Sequence, residues 1–270
     1  MILGIDVGGS TTKIVGLDSR GECTGMMQVK ADDQLTSAFG AFGKFMATHA
    51  LTMGDIRQIV LTGVGSSYLG MGMYDIPTTR ADEFEAIGLG GLKLAGLDEA
   101  VMVSVGTGTA LVRASQGEIV HLGGSGVGGG TLLNLAGRFA GANHFSTITE
   151  LAGQGNLSAV DLTLGDISKE KIGNLPPGTT VANFGNLKDT ASHGDIVLGL
   201  INMIFESIGM MAVFAALNDY VKDIVLVGSL SVLDQAAPVF NALSKIHNVR
   251  FHIPPNAMYA TALGAALSQM

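Results

Sequence analysis

The chain has little cysteine and little charge, and both shortages exclude classes of protein. Cys23 is the single cysteine in 270 residues, which excludes an internal disulfide, a cysteine zinc site and an iron–sulfur cluster ligated within one chain. Charged residues make up 14% of the chain and the net charge is −8, without a basic run, so nucleic acid is not an expected partner. We expect no signal peptide, because Met1 enters a predicted strand directly and an acid, Asp6, comes soon after it. We therefore expect a cytoplasmic protein.

Two familiar phosphate-binding motifs are also missing. The sequence contains no Gly-x-x-x-x-Gly-Lys-Ser/Thr loop, and no G-x-G-x-x-G opens its first predicted βα unit. Glycine, by contrast, is abundant: the 39 glycines cluster at loop positions between apolar runs and follow no collagen period. This pattern favours ligand binding by backbone groups, and the length suggests one large domain or two lobes.

One apolar segment, residues 196–217, has the length of a membrane span. As a helix it would measure roughly 33 Å. It contains a carboxylate, Glu206, in its middle, which lipid would penalise, and no basic flank marks a cytoplasmic end. We therefore predict a long, centrally buried helix over about 190–220 and no membrane partner.

A pattern of apolar strand, glycine and hydroxyl hairpin, then strand occurs twice. The first copy spans Ile5–Lys13 and the second spans Val101–Arg113. Two segments that begin alike indicate an internal duplication. The sequence therefore predicts an α/β fold of two lobes, residues 1–97 and 98–270. Residues 1–29 are predicted to form a three-stranded meander whose second turn is at 18–21. Further helices are predicted at 34–50, 82–95, 131–140, 146–152, 231–245 and 256–268, and further strands at 56–61, 117–122, 223–227 and 249–253.

The two hairpins have the chemistry of an anion site. Glycines allow the backbone to approach a ligand closely, and N–H groups and hydroxyls of such turns form a concave anion site. Lys13 adds a positive charge, and Asp6 is suited to hold a metal ion against phosphate oxygens. The predicted nucleotide-contacting residues are Gly8, Gly9, Ser10, Thr11, Thr107, Gly108, Thr109, Gly128, Gly129, Gly130, Gly228 and Ser229. Gly128–Gly130 are included because they feed a predicted helix N-terminus. A hairpin that is only a turn is the alternative interpretation of either motif.

Two further residues are candidates for contact with an acceptor. Glu83 lies at the predicted start of a helix, where a carboxylate could accept a proton from a substrate hydroxyl. The alternative is that Asp82, Glu83 and Glu85 only favour the helix N-terminus. His121, just before the glycine loop, could contact a carboxylate substrate, or it could simply pack or face water.

The motifs together resemble the actin, hexokinase and sugar-kinase superfamily, and more narrowly the type II pantothenate kinases. The segments that carry the resemblance stand in the family's order: Ile5–Lys13, Asp82–Glu85, Ser104–Thr109, Gly123–Gly130, Ala182–Gly185 and Val227–Ser229. The resemblance implies the two-lobed actin-like ATPase (ribonuclease H-like) fold with ATP in the cleft between duplicated lobes. It also implies ATP- and Mg²⁺-dependent phosphorylation of pantothenate, the first step of coenzyme A biosynthesis.

The resemblance further assigns roles to individual residues. It implies that Glu83 is the catalytic base and that Asp6 and Lys13 act with it on the cation and the transferred phosphate. The acceptor would contact Glu83, Thr107, His121 and Gly123. The long apolar helix would build a homodimer. One departure stands out: His121 occupies the place of an arginine that contacts the pantothenate carboxylate, and histidine lacks arginine's planar, permanent charge.

Two other functions stay open on the sequence. One is a kinase of the same fold that acts on another small hydroxy compound, which the change at His121 suggests. The other is a nucleotide-binding regulator without catalysis. A related ATPase activator with a bridging iron–sulfur cluster would need cysteines in a ligand loop, whereas Cys23 is predicted to lie in a strand.

Overall fold

Two five-stranded sheets form the framework of the protein, seen in a computed structural model that describes residues 1–30, 33–70 and 72–270. From the sequence, the glycine-rich stretch 63–72 could be a loop or a broken helix, and its residue 71 lies outside the described ranges. The first sheet contains β1 (Ile2–Val7), β2 (Thr11–Leu17), β3 (Cys23–Lys30), β4 (Gln58–Thr62) and β5 (Thr78–Arg80). The second contains β6 (Glu99–Val105), β7 (Thr109–Ser115), β8 (Glu118–Ser125), β11 (Asp223–Val227) and β12 (Arg250–His252). A two-stranded sheet joins β9 (Leu162–Thr163) and β10 (Thr180–Ala182).

The two large sheets have the same topology. Their strand orders are β3-β2-β1-β4-β5 and β8-β7-β6-β11-β12. In each, the first three strands form an antiparallel meander, and the two later strands add in parallel beside the first. This equivalence confirms the predicted α/β architecture with duplicated lobes. Strand β5 was not predicted from the sequence, while β12 lies at an edge as predicted.

The described residues form eight helices. They are α1 (Gln34–Thr48), α2 (Glu83–Ala95), α3 (Gly129–Ala140), α4 (Phe145–Ala152), α5 (Leu164–Ile167), α6 (His193–Asn218), α7 (Ala236–His247) and α8 (Ala260–Leu267). The predicted bounds of α7 and α8 begin too early, because short 3-10 turns at Ser229–Val232 and Ala257–Tyr259 precede them.

Helix α2 begins and ends where its local sequence predicts. The Asp82 side chain accepts hydrogen bonds from the N–H groups of Phe84 and Glu85, which satisfies two donors that a helix start leaves free. Gly96 adopts the left-handed conformation that closes the helix. These two caps fix Glu83 at the first position of the helix.

The helices that follow the two sheets exchange places. Helix α2 comes directly after the first sheet in sequence but packs on the second, against β6, β7, β8 and β11. Helix α8 comes after the second sheet but packs on β1, β2 and β4 of the first. Each of the predicted lobes, 1–97 and 98–270, thus contributes a helix to the sheet of the other, and the lobe bounds stay a prediction.

The crossing of α2 and α8 depends on the absence of side chains. A Cβ at Gly90 would lie 1.8 Å from the Ala260 carbonyl oxygen, and one at Gly264 would lie 1.8 Å from the Ala86 carbonyl oxygen. The two backbones are thus in direct contact between the sheets. This contact connects the two lobes behind the cleft.

Helix α6 is the long apolar helix that the sequence predicts. By length and composition alone it could cross a membrane, with a mean hydropathy of 2.0 over its most apolar stretch. In the structure, 61% of that stretch is buried inside the protein, where Phe205 and Ile208 pack with residues of α3, α7 and the second sheet. This environment is that of a core helix.

Candidate active site

The first part of the site is a buried ion pair where β1 and β2 approach their connecting turn. Asp6 is paired in register with Lys13, and Lys13 Nζ lies 3.6 Å from Asp6 Oδ2. Burial raises the pKa of Asp6 above its ordinary value, and the charge of Lys13 opposes that rise. Both residues are less than 10% exposed. A negative and a positive group are thus held together next to the first glycine hairpin.

The second part is the meeting of the two hairpins. Ser10 Oγ and Thr107 Oγ1 lie 3.5 Å apart, although 97 positions separate them in the sequence. A Cβ at Gly9 would lie 3.4 Å from the same Thr107 oxygen. Among the hydrogen bonds between described residues, none uses the N–H groups of Gly9, Ser10, Thr107 or Gly108. Four donors and two hydroxyls therefore remain available to an anion where the lobes meet.

The glycine loop supports the second hairpin from behind. The N–H of Gly129 donates to the Gly106 carbonyl at 2.8 Å, and the N–H of Gly130 donates to the Thr107 carbonyl at 2.9 Å. The sequence suggested that these two N–H groups are free anion donors at a helix N-terminus. The structure shows instead that both are engaged within the protein. Direct nucleotide contact by these glycines stays a prediction.

Close packing also fixes the other predicted nucleotide contacts. Thr109 Oγ1 donates to the Val127 carbonyl at 2.8 Å, so its hydroxyl binds the glycine loop. A Cβ at Gly128 would lie 2.8 Å from the Thr107 carbonyl oxygen. Gly228, at the end of β11, has φ 92°, and a Cβ there would lie 2.6 Å from the Val105 carbonyl oxygen. The end of β11 and the two residues after it, Gly228 and Ser229, thus lie beside the end of β6, where the second hairpin begins.

Glu83 lies opposite the ion pair. Burial raises the pKa of Glu83, the negative charge of Asp6 raises it further, Asp82 adds to the rise, and Lys13 lowers it. The charges of Asp6 and Lys13 thus both act on Glu83. A raised pKa makes a carboxylate a stronger base, which suits it to accept a proton from a substrate hydroxyl.

His121 packs against Phe84, the residue that follows Glu83. Its ring stacks on Phe84 with 3.8 Å between centroids and 10° between planes, so it covers the residue that follows Glu83. A groove of about 550 Å³ between α2 and the β7–β8 hairpin includes both rings. Gly123, with φ 141°, follows at an irregularity in the β7–β8 pairing. The structure thus places His121 in a groove with Phe84 and Glu85, and contact between His121 and an acceptor stays a prediction.

The sequence did not single out Thr62 and Gly63, which border Asp6. Thr62 is the register partner of Asp6 on β4. Gly63 has φ 84°, and a Cβ there would lie 2.5 Å from Asp6 Oδ1, so any side chain would displace the carboxylate. The sequence signal that could have indicated these two residues is the β-branched strand 56–61, which ends at Thr62-Gly63.

The donor set fits Mg²⁺ in the form expected beside a polyphosphate. Within the described ranges, no three His, Cys, Asp or Glu residues come together as a metal cage. Mg²⁺ is commonly held by one or two carboxylates together with substrate phosphates and waters. Asp6, beside the free N–H groups of the hairpins, provides that arrangement.

Two five-stranded sheets that present facing glycine hairpins define the actin-like ATPase and sugar-kinase class of fold. A Clostridium difficile activator of 2-hydroxyisocaproyl-CoA dehydratase with bound ADPNP matches with a TM-score of 0.71 and 15% identity, covering 99% of this chain and 93% of that one. A Streptomyces griseus ROK family glucokinase in complex with glucose and AMPPNP matches with a TM-score of 0.63 and 12% identity, covering 99% and 98%. At these identities the similarity concerns the fold.

The sequence comparisons then give the family. Residues 100–249, just over half of the chain, match the Fumble family model, and the chain belongs to that family of pantothenate kinases. A type II pantothenate kinase from Bacillus cereus is 25% identical over 243 residues, covering 84% of this chain and 82% of the relative. The family predicted from the sequence motifs is thereby confirmed.

Proposed function

We propose that this protein transfers the γ-phosphoryl group of ATP to the primary hydroxyl of pantothenate, giving 4'-phosphopantothenate and ADP in the first step of coenzyme A biosynthesis. The observation that carries the proposal is the contact of the two glycine hairpins next to the buried Asp6–Lys13 pair, with the Ser10 and Thr107 hydroxyls 3.5 Å apart. Glu83 is near enough for both charges of that pair to act on its pKa. Phosphoryl transfer needs phosphate-binding donors, a cation site and a base, and these groups supply all three.

Each residue has a role in this proposal. The free N–H groups of Gly9 and Ser10, with Lys13, hold the transferred phosphate, and those of Thr107 and Gly108 hold the other phosphates. Glu83 accepts the proton of the acceptor hydroxyl as its oxygen forms a bond to the γ-phosphorus and the bond to the β-phosphate oxygen breaks. Asp6 would hold Mg²⁺, which would supply positive charge to neutralise the phosphates.

Transfer of labelled phosphate tests the proposal. The protein is incubated with γ-labelled ATP, Mg²⁺ and a panel of small hydroxy compounds that includes pantothenate. The expected result is Mg²⁺-dependent labelling of pantothenate. Nucleotide binding without transfer to any acceptor would instead favour a regulator without catalysis.

A kinase for a different small hydroxy compound is the second candidate, and His121 is the observation that favours it. The ring lies flat on Phe84 and carries no permanent charge for a carboxylate. His121→Arg should lower the KM for pantothenate and leave the KM for an uncharged pantothenate amide nearly unchanged. If the amide is the better acceptor for the wild type and the Arg variant does not reverse the order, pantothenate is not the substrate.

A homodimer in the cytoplasm is also part of the proposal. Helix α6 is mostly buried, yet Phe214 and Leu217 are 63% and 53% exposed. Met203 and Met210 lie on the same stripe at helical spacing and are partly buried. A second copy of the chain is the partner that would cover this stripe.

A further inference from the structure

Thr62, at the carboxyl end of β4, has a buried hydroxyl that no described residue satisfies. The residue is 1% exposed, and its Oγ1 is one of four buried side-chain polar atoms without a hydrogen-bond partner in the described part of the chain. Buried hydroxyls are normally paired, because an unpaired one costs stability. The unpaired state of Thr62 therefore points to a partner that it acquires under other conditions.

The location of Thr62 indicates that partner. Thr62 is paired in register with Asp6 across parallel strands, which places the two residues side by side. Val60, two positions earlier on β4, packs against α8, and Thr62 projects from the same face of the sheet. On the other side of Thr62, β4 pairs with β5, which ends at Arg80, and the chain then continues to Glu83. Thr62 thus lies between the strand of Asp6 and the segment that carries Glu83.

The ion pair at Asp6 suggests when the hydroxyl would be used. Lys13 Nζ is the charged partner of Asp6, and the same ammonium is the group that would bind phosphate. A phosphate that engages Lys13 weakens its hold on a buried carboxylate. Adjacent strands are about 4.8 Å apart, so rotation about side-chain bonds can bring a threonine hydroxyl to a neighbouring carboxylate.

We propose that Thr62 is a positioning residue that donates its hydroxyl hydrogen to the Asp6 carboxylate when nucleotide engages Lys13. It thereby keeps the carboxylate oriented toward the cation and the transferred phosphate. The inference rests on the proposed kinase function and adds to it a residue that the family motifs did not indicate.

Three variants test the inference. Thr62→Val keeps the shape and removes the hydroxyl, whereas Thr62→Ser keeps the hydroxyl and removes a methyl group. Thr24→Val, on β3 of the same sheet, is the matched control, because Thr24 Oγ1 already donates to the Gly16 carbonyl at 3.1 Å. For each protein, kcat, the KM for acceptor, the Tm of the free protein and the rise in Tm with an Mg²⁺–ATP analogue are measured.

Thr62→Val should leave the free protein's Tm unchanged or higher, because it removes an unpaired group. Its kcat should fall by about tenfold or more, as expected for loss of a hydrogen bond to a charged group, with little change in KM for acceptor. The rise in Tm with nucleotide should shrink, and Thr62→Ser should restore both. Thr24→Val should lower the free protein's Tm without changing kcat or the nucleotide effect.

Wild-type kcat and a wild-type nucleotide effect in Thr62→Val would overturn the inference while leaving the proposed function intact. Equal losses in the Val and Ser variants would also overturn it, since packing rather than the hydroxyl would then matter. A wild-type protein that neither binds the nucleotide nor transfers phosphate would remove the proposed function and this inference with it.

Discussion

In the proposed reaction, Glu83 accepts the proton of the acceptor hydroxyl. It is half-buried at the first position of α2, and both burial and the charge of Asp6 raise its pKa above 4.5. Because the carboxylate acts as a base only when deprotonated, turnover should rise with pH through that raised pKa. The acid limb of kcat should therefore lie above the ordinary pKa range of a glutamate, and a pH profile of kcat recorded from acid to neutral pH would reveal it.

Glu83→Gln separates binding from chemistry. The variant should bind an ATP analogue as the wild type does and lose turnover by about 10²- to 10⁴-fold, the usual contribution of a general base. Its Tm at pH 8 should not fall, because burial disfavours the charge that the substitution removes. Glu85→Gln, an exposed carboxylate two positions along the helix, should retain near-normal kcat. Near-normal kcat in Glu83→Gln would contradict the assignment of the base.

The sequence indicated individual site residues only where local chemistry was sufficient. A carboxylate at a helix start has a structural explanation as well as a catalytic one, and only its electrostatic contact with Asp6 in the structure favours the second. Thr62 was missed because its distinguishing property is an unpaired hydroxyl, which exists only in three dimensions. The engaged N–H groups of Gly129 and Gly130 were not foreseeable for the same reason.

Among the elements, the exchanged helices α2 and α8 give a test of packing. Gly90→Ala would place a Cβ 1.8 Å from the Ala260 carbonyl oxygen and push the helix backbones apart. We expect the free energy of unfolding in urea to fall by about 3 kcal/mol or more, the upper range for overpacking. Gly43→Ala, at an exposed α1 position with nothing within 4 Å, should instead gain about 0.5–1 kcal/mol. Equal stability of the two variants would refute the close crossing.

The edge of the second sheet gives a pH-dependent prediction. Hydrogen bonds from Arg250 on β12, and then from His252, lower the pKa of Asp223 on β11. A carboxylate with a lowered pKa stabilises the fold above its unfolded pKa and loses that contribution as pH falls through its folded pKa. Asp223→Asn should therefore cost about 1–2 kcal/mol at pH 7 and progressively less below about pH 4.

Urea unfolding at pH 7 and at low pH measures this difference. Asp234→Asn, at an exposed position, serves as the control and should change the free energy of unfolding by less than about 0.5 kcal/mol at either pH. A penalty for Asp223→Asn that stays constant with pH would mean that its charge is not what stabilises β12.

Prediction of the elements succeeded where start and stop signals are local. Asp82 and Gly96 define both ends of α2, and the apolar run of α6 predicts a core helix. Strand β5 was missed because three residues, Thr78–Arg80, carry no periodic pattern, and only pairing with β4 makes them a strand. The small residues of α8 indicate a close contact but not its partner, so the exchange with α2 was not predictable.

For the molecule as a whole, association of two copies is the first consequence to test. Phe214→Glu would place a charge on the exposed apolar stripe of α6, and it should convert the protein from dimer to monomer in light scattering coupled to size exclusion. Leu35→Glu, at an exposed apolar position on α1, should leave the dimer intact. A wild-type monomer, or a dimer that survives Phe214→Glu, would exclude this face as the interface.

The duplicated architecture follows from the two hairpins, whose repetition was visible in the sequence. Their meeting at Ser10 and Thr107 places phosphate donors from both lobes side by side. A crystal structure with Mg²⁺, a non-hydrolysable ATP analogue and pantothenate tests this arrangement most directly. The β- and γ-phosphates should contact the N–H groups of Gly9 and Ser10 and those of Thr107 and Gly108, with the primary hydroxyl about 3 Å from the Glu83 carboxylate. Phosphates bound outside the two hairpins, or a hydroxyl out of reach of Glu83, would contradict it.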